Sequence, residues 1–83
     1  MLVILSTDAQ KQYKHLPRTE QIKVRKKLQI LENIPLAGKK LTGELHNIRS
    51  LRAWPYRIIY EINETEKRVE IHKIAHRQGV YKI

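Results

Sequence analysis

Several residues in the second half of this sequence are suited to phosphate chemistry: Arg52, Arg57, His76, Arg77 and Tyr81, with Arg49 and His46 nearby in the chain. Cleaving RNA through its own 2′-hydroxyl needs a base to take that proton, cationic donors to hold a phosphorane-like transition state, and an acid to protonate the departing 5′-oxygen. Arginine meets the second need, because its planar fork makes two parallel, charge-assisted hydrogen bonds to phosphate oxygens. Histidine, which titrates near neutral pH, can move the protons; a tyrosine can act as base where adjacent arginines draw its pKa down from about 10. A single arginine on a strand is ordinarily a solvated surface residue. It is their number, beside a histidine and a tyrosine, that points to a catalytic set of Arg57, His76, Arg77 and Tyr81. His15, His46 and His72 are scattered, lack metal-ligand spacing and have no paired carboxylates beside them, so neither a metal nor another cofactor is expected.

Bulk charge agrees with this chemistry. The 83 residues carry 17 Lys and Arg against 8 Asp and Glu, a formal net charge of +9. Such a surface attracts polyanions in a salt-dependent, largely sequence-independent way. Arg49, Arg52, Lys39, Lys40 and Lys82 are the expected contacts to an RNA backbone. Only five aromatic residues are present (Tyr 4, Trp 1, Phe 0), too few for a reader built on rows of base-stacking platforms. There is no cysteine, hence no disulfide framework and no thiolate nucleophile. Met1 to Leu5 form an apolar stretch too short and wrongly flanked for a signal peptide, and no run approaches the length of a membrane span. A cytoplasmic protein with no membrane association is the expectation.

The elements that must position these side chains fit a single domain over residues 1–83. Leu2 to Leu5 read as a strand. Thr7 followed by Gln10 resembles a capping box, with Ala9, Tyr13 and Leu16 at helical spacing up to Pro17. A longer helix opens at Arg18 or Thr19, buries a stripe of Val24, Leu28 and Leu31, and stops at Pro35. Its other side carries Lys23, Arg25, Lys26 and Lys27. Leu36 to Gly43 has turn composition and reads as a connection. Three strands follow, at about Ile48 to Ala53, Tyr56 to Ile62 and Arg68 to Ala75, the last two joined as a hairpin through Asn63 to Glu66. Alternation places Tyr56, Ile58, Tyr60 and Ile62 on one face, and Arg57, Ile59 and Glu61 on the other. It also places Arg49 and Arg52 on opposite faces. The expected fold is α+β, a single β-α-α-β-β-β domain with two N-terminal helices packed on one face of an antiparallel sheet and the opposite face free to bind.

The stretch Leu51-Arg52-Ala53-Trp54-Pro55-Tyr56-Arg57-Ile58-Ile59-Tyr60-Glu61-Ile62, followed by Ile74-Ala75-His76-Arg77-Gln78-Gly79-Val80-Tyr81, resembles the RelE/ParE superfamily of toxins. Upstream, Pro35, Gly38, Lys39, Leu41 and Gly43 resemble that family's connection between second helix and sheet. The resemblance implies an endoribonuclease that cuts mRNA at the ribosomal decoding site and is neutralised by a cognate antitoxin, an acidic and partly disordered chain. It also implies that Arg57, Arg77 and Tyr81 fall on catalytic positions and that His76 stands where several ribosome-dependent members carry a histidine. The lysines that one branch places on the strand before the central one are replaced here by Ile48 and Ser50. Two other readings stay open: the ParE branch, whose members bind DNA gyrase and cut no RNA, and a non-catalytic basic binding module of the same fold.

Overall fold

The computed structural model describes residues 1–41 and 47–76. Its elements are β1 (Leu2–Leu5), α1 (Thr7–His15), α2 (Arg18–Asn33), a 3-10 turn (Pro35–Ala37), β2 (Lys39–Lys40), β3 (Ile48–Ala53), β4 (Tyr56–Asn63) and β5 (Arg68–His76). The strands form one sheet in the order β1-β5-β4-β3-β2, with both helices against one face.

The α+β architecture matches the sequence reading, with two differences of detail. The sheet is mixed: β1 pairs parallel to β5 while every other pairing is antiparallel. The two helices between β1 and the rest carry the chain back before it enters the sheet again, which allows a parallel edge pairing that the apolar run of β1 does not itself encode. The second difference lies in the connection after α2. Lys39 and Lys40 form a short edge strand against Ser50 and Arg49, and the Leu41 N–H donates to the Ile48 carbonyl at 2.9 Å.

The helix ends follow local chemistry. Ser6 caps α1, its Oγ accepting the Ala9 N–H at 3.0 Å. This displaces the expected capping box by one residue, and Gln10 instead donates to the Leu5 carbonyl. Asp8 in the first turn, with Lys14 and His15 in the last, complements the helix dipole. Pro17 precedes α2, and its carbonyl accepts the N–H groups of Glu20 and Gln21. α2 ends at Asn33 with Ile34 as its C-cap, and Pro35 follows, because its ring cannot occupy a helix interior.

Between helices and sheet lies the main core, built on Ala9, Val24, Leu31, Ala53, Ile58, Tyr60, Val69, Ile71 and Ile74, with Val3, Leu5, Tyr13, Leu16, Leu28, Leu51, Tyr56 and Ile62 packed against it. A second, small apolar cluster of Ile59, Ala75 and Ile48 sits on the opposite face. The register between β4 and β5 shifts at Ile59/Tyr60, where Ile59 faces Lys73 but Tyr60 faces Ile71. His72 is therefore an extra residue, a β-bulge that lets Ile71 and Ile74, three apart, both reach the core.

One buried side chain ties the helical layer to the sheet. Tyr60 is fully buried, and its hydroxyl donates to the Pro35 carbonyl at 2.7 Å while accepting the Gly38 N–H at 2.8 Å. A Cβ on Gly38 would lie 2.5 Å from that hydroxyl oxygen and 2.6 Å from a ring carbon, so the close approach requires glycine. Burial pushes the Tyr60 pKa up, against the lowering pull of the Gly38 N–H and of Arg49. The neutral phenol is thus the form that the fold holds.

Tyr60→Phe leaves the Gly38 N–H and the Pro35 carbonyl without their partner, and should lower stability by about 1–3 kcal/mol, read as a lower urea midpoint at unchanged slope. Because the folded state holds the phenol proton more tightly than the unfolded chain, the contribution of Tyr60 is complete below the ordinary tyrosine pKa of about 10 and is lost as pH rises through the higher folded value. Wild-type stability should therefore fall more steeply with pH above about 10 than that of Tyr60→Phe.

Candidate phosphate-binding face

Residues directly opposed across a strand pair share a face of the sheet. Arg57 on β4 opposes Arg52 on β3 and Ala75 on β5, and Ile59 opposes Ser50 and Lys73. Lys39 on β2 opposes Ser50. Ile59 and Ala75 form the small cluster away from the helices, so this whole set lies on the face that the helices leave uncovered. Four neighbouring strands thus each contribute one cation to it: Lys39, Arg52, Arg57 and Lys73. Arg52 and Arg57, directly opposed, have Cα atoms about 4.5–5.5 Å apart. Like charges so placed repel across a strand pair by roughly 0.2–1 kcal/mol, a repulsion that an anion bound between them would offset.

Further along the same face the charges are balanced internally. Arg68 Nε donates to Glu70 Oε2 at 2.8 Å, and Asn63 Nδ2 approaches the same oxygen at 3.4 Å. The Arg68 hydrogen bond, followed by that of Asn63, holds the Glu70 carboxyl below the usual carboxylate range. His72, on the bulge, meets Glu61 at 3.3 Å. The carboxylates therefore sit towards the end of the sheet where β5 begins, and the Arg52 and Arg57 pair at the end where it finishes. The uncovered face is polarised along its length.

The structure separates some residues that the sequence had grouped. Arg49 opposes Tyr60 on the helix-facing side, where its Nη1 donates to the Gly38 carbonyl at 3.0 Å; there it supports the connection that Tyr60 holds. Lys40 opposes Arg49 and shares that side. Neither joins Lys39 and Arg52, and the reason is strand parity: odd and even positions of one strand point to opposite faces. His76 opposes Tyr56 rather than Arg57, its ring edge-on to the tyrosine with centroids 5.6 Å apart. It stands at the end of the sheet, on the helix-facing side of the strand pair. Arg77, Tyr81, Lys82 and His46 lie outside the described residues.

Lys73 went unread in the sequence altogether, and for Ser50 the burial went unread. Lys73 joins the cationic row because of the bulge at His72, for which the signal was the three-residue spacing of Ile71 and Ile74. Ser50 is buried at 7% exposure, and its hydroxyl has no hydrogen-bond partner among the described residues. It occupies one of the positions where the resemblance implied a lysine, and the cation of Lys39 lies directly across from it on β2.

Comparison with known proteins supplies the family. The family model for the ParE toxin of the type II toxin-antitoxin system parDE matches residues 3–81. A curated relative, Toxin RelE of Mycobacterium tuberculosis, is 37% identical over 54 residues, which cover 65% of this chain and 56% of that protein. Among solved structures, the toxin-antitoxin complex RelBE2 of M. tuberculosis superposes with a TM-score of 0.82 at 31% identity, covering 92% of this chain and 96% of that one. The archaeal RelE-RelB complex of Pyrococcus horikoshii gives 0.74 at 25% identity, covering 92% and 93%. From fold, motif and these matches together, the chain belongs to the ParE toxin family of type II toxin-antitoxin systems, within the RelE/ParE superfamily.

Proposed function

We propose that this toxin is a metal-independent endoribonuclease acting on mRNA at the ribosomal decoding site in the cytoplasm, and that a cognate acidic antitoxin neutralises it. The observation that carries this reading is the row of Lys39, Arg52, Arg57 and Lys73 across four neighbouring strands of the uncovered face. A single-stranded phosphate backbone laid across the strands would meet a cation at each step, and counterion release would favour its binding. The similarity to the curated Toxin RelE supports the same reading.

In this mechanism the RNA 2′-hydroxyl attacks the adjacent phosphorus, its proton passes to a base, and the 5′-oxygen leaves with a proton from an acid. The products are a 2′,3′-cyclic phosphate and a 5′-hydroxyl. Arg57, with Arg77 where the resemblance implies it, holds the equatorial phosphate oxygens as negative charge builds, while Arg52 and Lys39 anchor neighbouring phosphates. Tyr81 and His76 remain the proton-transfer candidates, but His76, set against Tyr56 on the helix side of the strand pair, serves the phosphate on the other face only by reaching round the end of the sheet. Ser50 in place of a lysine shifts positive charge on this part of the face to Lys39 on the adjoining strand.

A second reading is favoured by the family model itself, which is that of the ParE toxin. The ParE branch, as the sequence resemblance implies, acts on DNA gyrase. Solved relatives of this fold include toxin-antitoxin complexes, which supports a protein antitoxin under either reading. A basic surface suits an acidic peptide that folds as it binds.

Purified protein added to translating ribosomes in the presence of a chelator should give discrete mRNA cuts. Arg57→Ala should slow them by about 10²-fold, the size of effect seen when one donor to a developing oxyanion is removed. Arg49→Ala, on the other face, should lower stability while leaving the single-turnover rate of the folded protein close to wild type. Intact message together with inhibited gyrase supercoiling would overturn the nuclease reading in favour of the second. In single-turnover pH profiles, whichever of His76→Ala and Tyr81→Phe removes the acidic limb identifies the general base, and loss of the alkaline limb identifies the general acid.

A further inference from the structure

Strand β1 ends at Leu5, opposite Ile71, whereas β5 continues to His76. From His72 onward, the outer edge of β5 therefore has no strand beside it among the described residues. Unpaired edge groups in a half-buried setting need partners, and helix α1 supplies them. The Ser6 N–H donates to the Ile71 carbonyl at 2.9 Å, Ser6 Oγ donates to the His72 carbonyl at 3.0 Å, and Gln12 Oε1 accepts the Ile74 N–H at 2.7 Å. The N-cap residue Ser6 and the side chain of Gln12 in α1 thus take the place of a strand along this edge.

The Gln12 bond spans 62 residues of sequence and reaches the outer edge of β5 next to the functional end of the sheet. Ala75, one residue beyond Ile74, opposes Arg57, and His76 opposes Tyr56. The inner edge of this segment is fixed by its ladder to β4. Its outer edge is fixed, among the contacts described here, by Gln12.

We propose that Gln12 is a positioning residue: by clamping the Ile74 amide it fixes the terminal part of β5 against Arg57 and so sets the geometry of the phosphate site. This rests on the nuclease reading above, since Ala75, in the segment that it holds, opposes the Arg57 that reading places on the scissile phosphate. Without the amide oxygen, the last turn of pleat is held from one side only. It frays as strand ends do when backbone hydrogen bonds open to solvent. Phosphate affinity depends mostly on the cationic row and changes little. The rate of the chemical step depends on sub-ångström placement of the reacting groups and falls.

The test compares wild type with Gln12→Leu, which has no acceptor, and Gln12→Glu, whose carboxylate keeps one. Amide hydrogen exchange followed by NMR should show Ile74 exchanging at least tenfold faster in Gln12→Leu, with Val69 and Ile71 unchanged, and protection recovered in Gln12→Glu. On programmed ribosomes, Gln12→Leu should lose about tenfold or more in kcat with KM within about threefold of wild type, and Gln12→Glu should recover most of that loss. Equal exchange at Ile74 in all three proteins would overturn the clamp, as would Gln12→Glu failing as badly as Gln12→Leu. A loss confined to KM would overturn the positioning role. If wild type itself cuts no RNA, the nuclease reading and the catalytic part of this proposal fall together, and the exchange data alone still decide whether Gln12 holds the strand.

Discussion

The hydroxyl of Tyr60, buried in the centre of the molecule, holds the Pro35 carbonyl with one hydrogen bond and the Gly38 N–H with another. Much of the architecture depends on those two bonds. They fasten the exit of α2 to the central strand, so that Lys39 and Lys40 emerge in register beside β3 and close the sheet on that side. The ring packs so close to the Gly38 backbone that no other residue fits there. Arg49 completes the arrangement from the same side through the Gly38 carbonyl. A residue lined up with the arginines in sequence thus serves the scaffold, and the cation that reaches the outer face at this edge is Lys39.

With one face of the sheet given to the helices, charge can accumulate on the other. Strand parity directs Arg52 and Arg57 there as an opposed pair, and the bulge at His72 turns Lys73 to the same side. Parity alone would have divided these cations differently. A single inserted residue on β5 both satisfies the core, by bringing Ile71 and Ile74 inward, and enriches the outer face. Among the described residues, the carboxylates on that face lie with Arg68 and His72, away from the Arg52 and Arg57 pair.

The fold was largely readable in the sequence because its signals are local. Alternation marked β3, β4 and β5 to within a residue at each boundary, prolines bracketed α2, and the β-branched run marked β1. What could not be read is what depends on distant partners. Nothing in Leu2 to Leu5 says that the strand will lie parallel to β5, and nothing in Lys39-Lys40 marks an edge strand, since its pairing is set by the Tyr60 contact from far along the chain. The site divides along the same line. Arg57 and Arg52 could be placed by alternation and do share a face, and the conflict between Arg49 and Arg52 was visible for the same reason. Lys73 was hidden by the bulge, and Gln12 by its dependence on a bond across 62 residues. A glutamine on the polar flank of a short helix carries no signature of such a role.

The central claim is that the helix-free face of the sheet is where RNA lies. It is tested most directly by titrating the isotopically labelled protein with a short RNA bearing a 2′-deoxy nucleotide at the cut site, so that it binds without reacting, and following side-chain and backbone resonances by NMR. The account predicts shifts concentrated on Lys39, Arg52, Arg57 and Lys73, with intermolecular contacts from their side chains to ribose and phosphate. Shifts centred instead on Lys23, Lys26 and Lys27 along the outer side of α2, with the cationic row of the sheet unmoved, would contradict it.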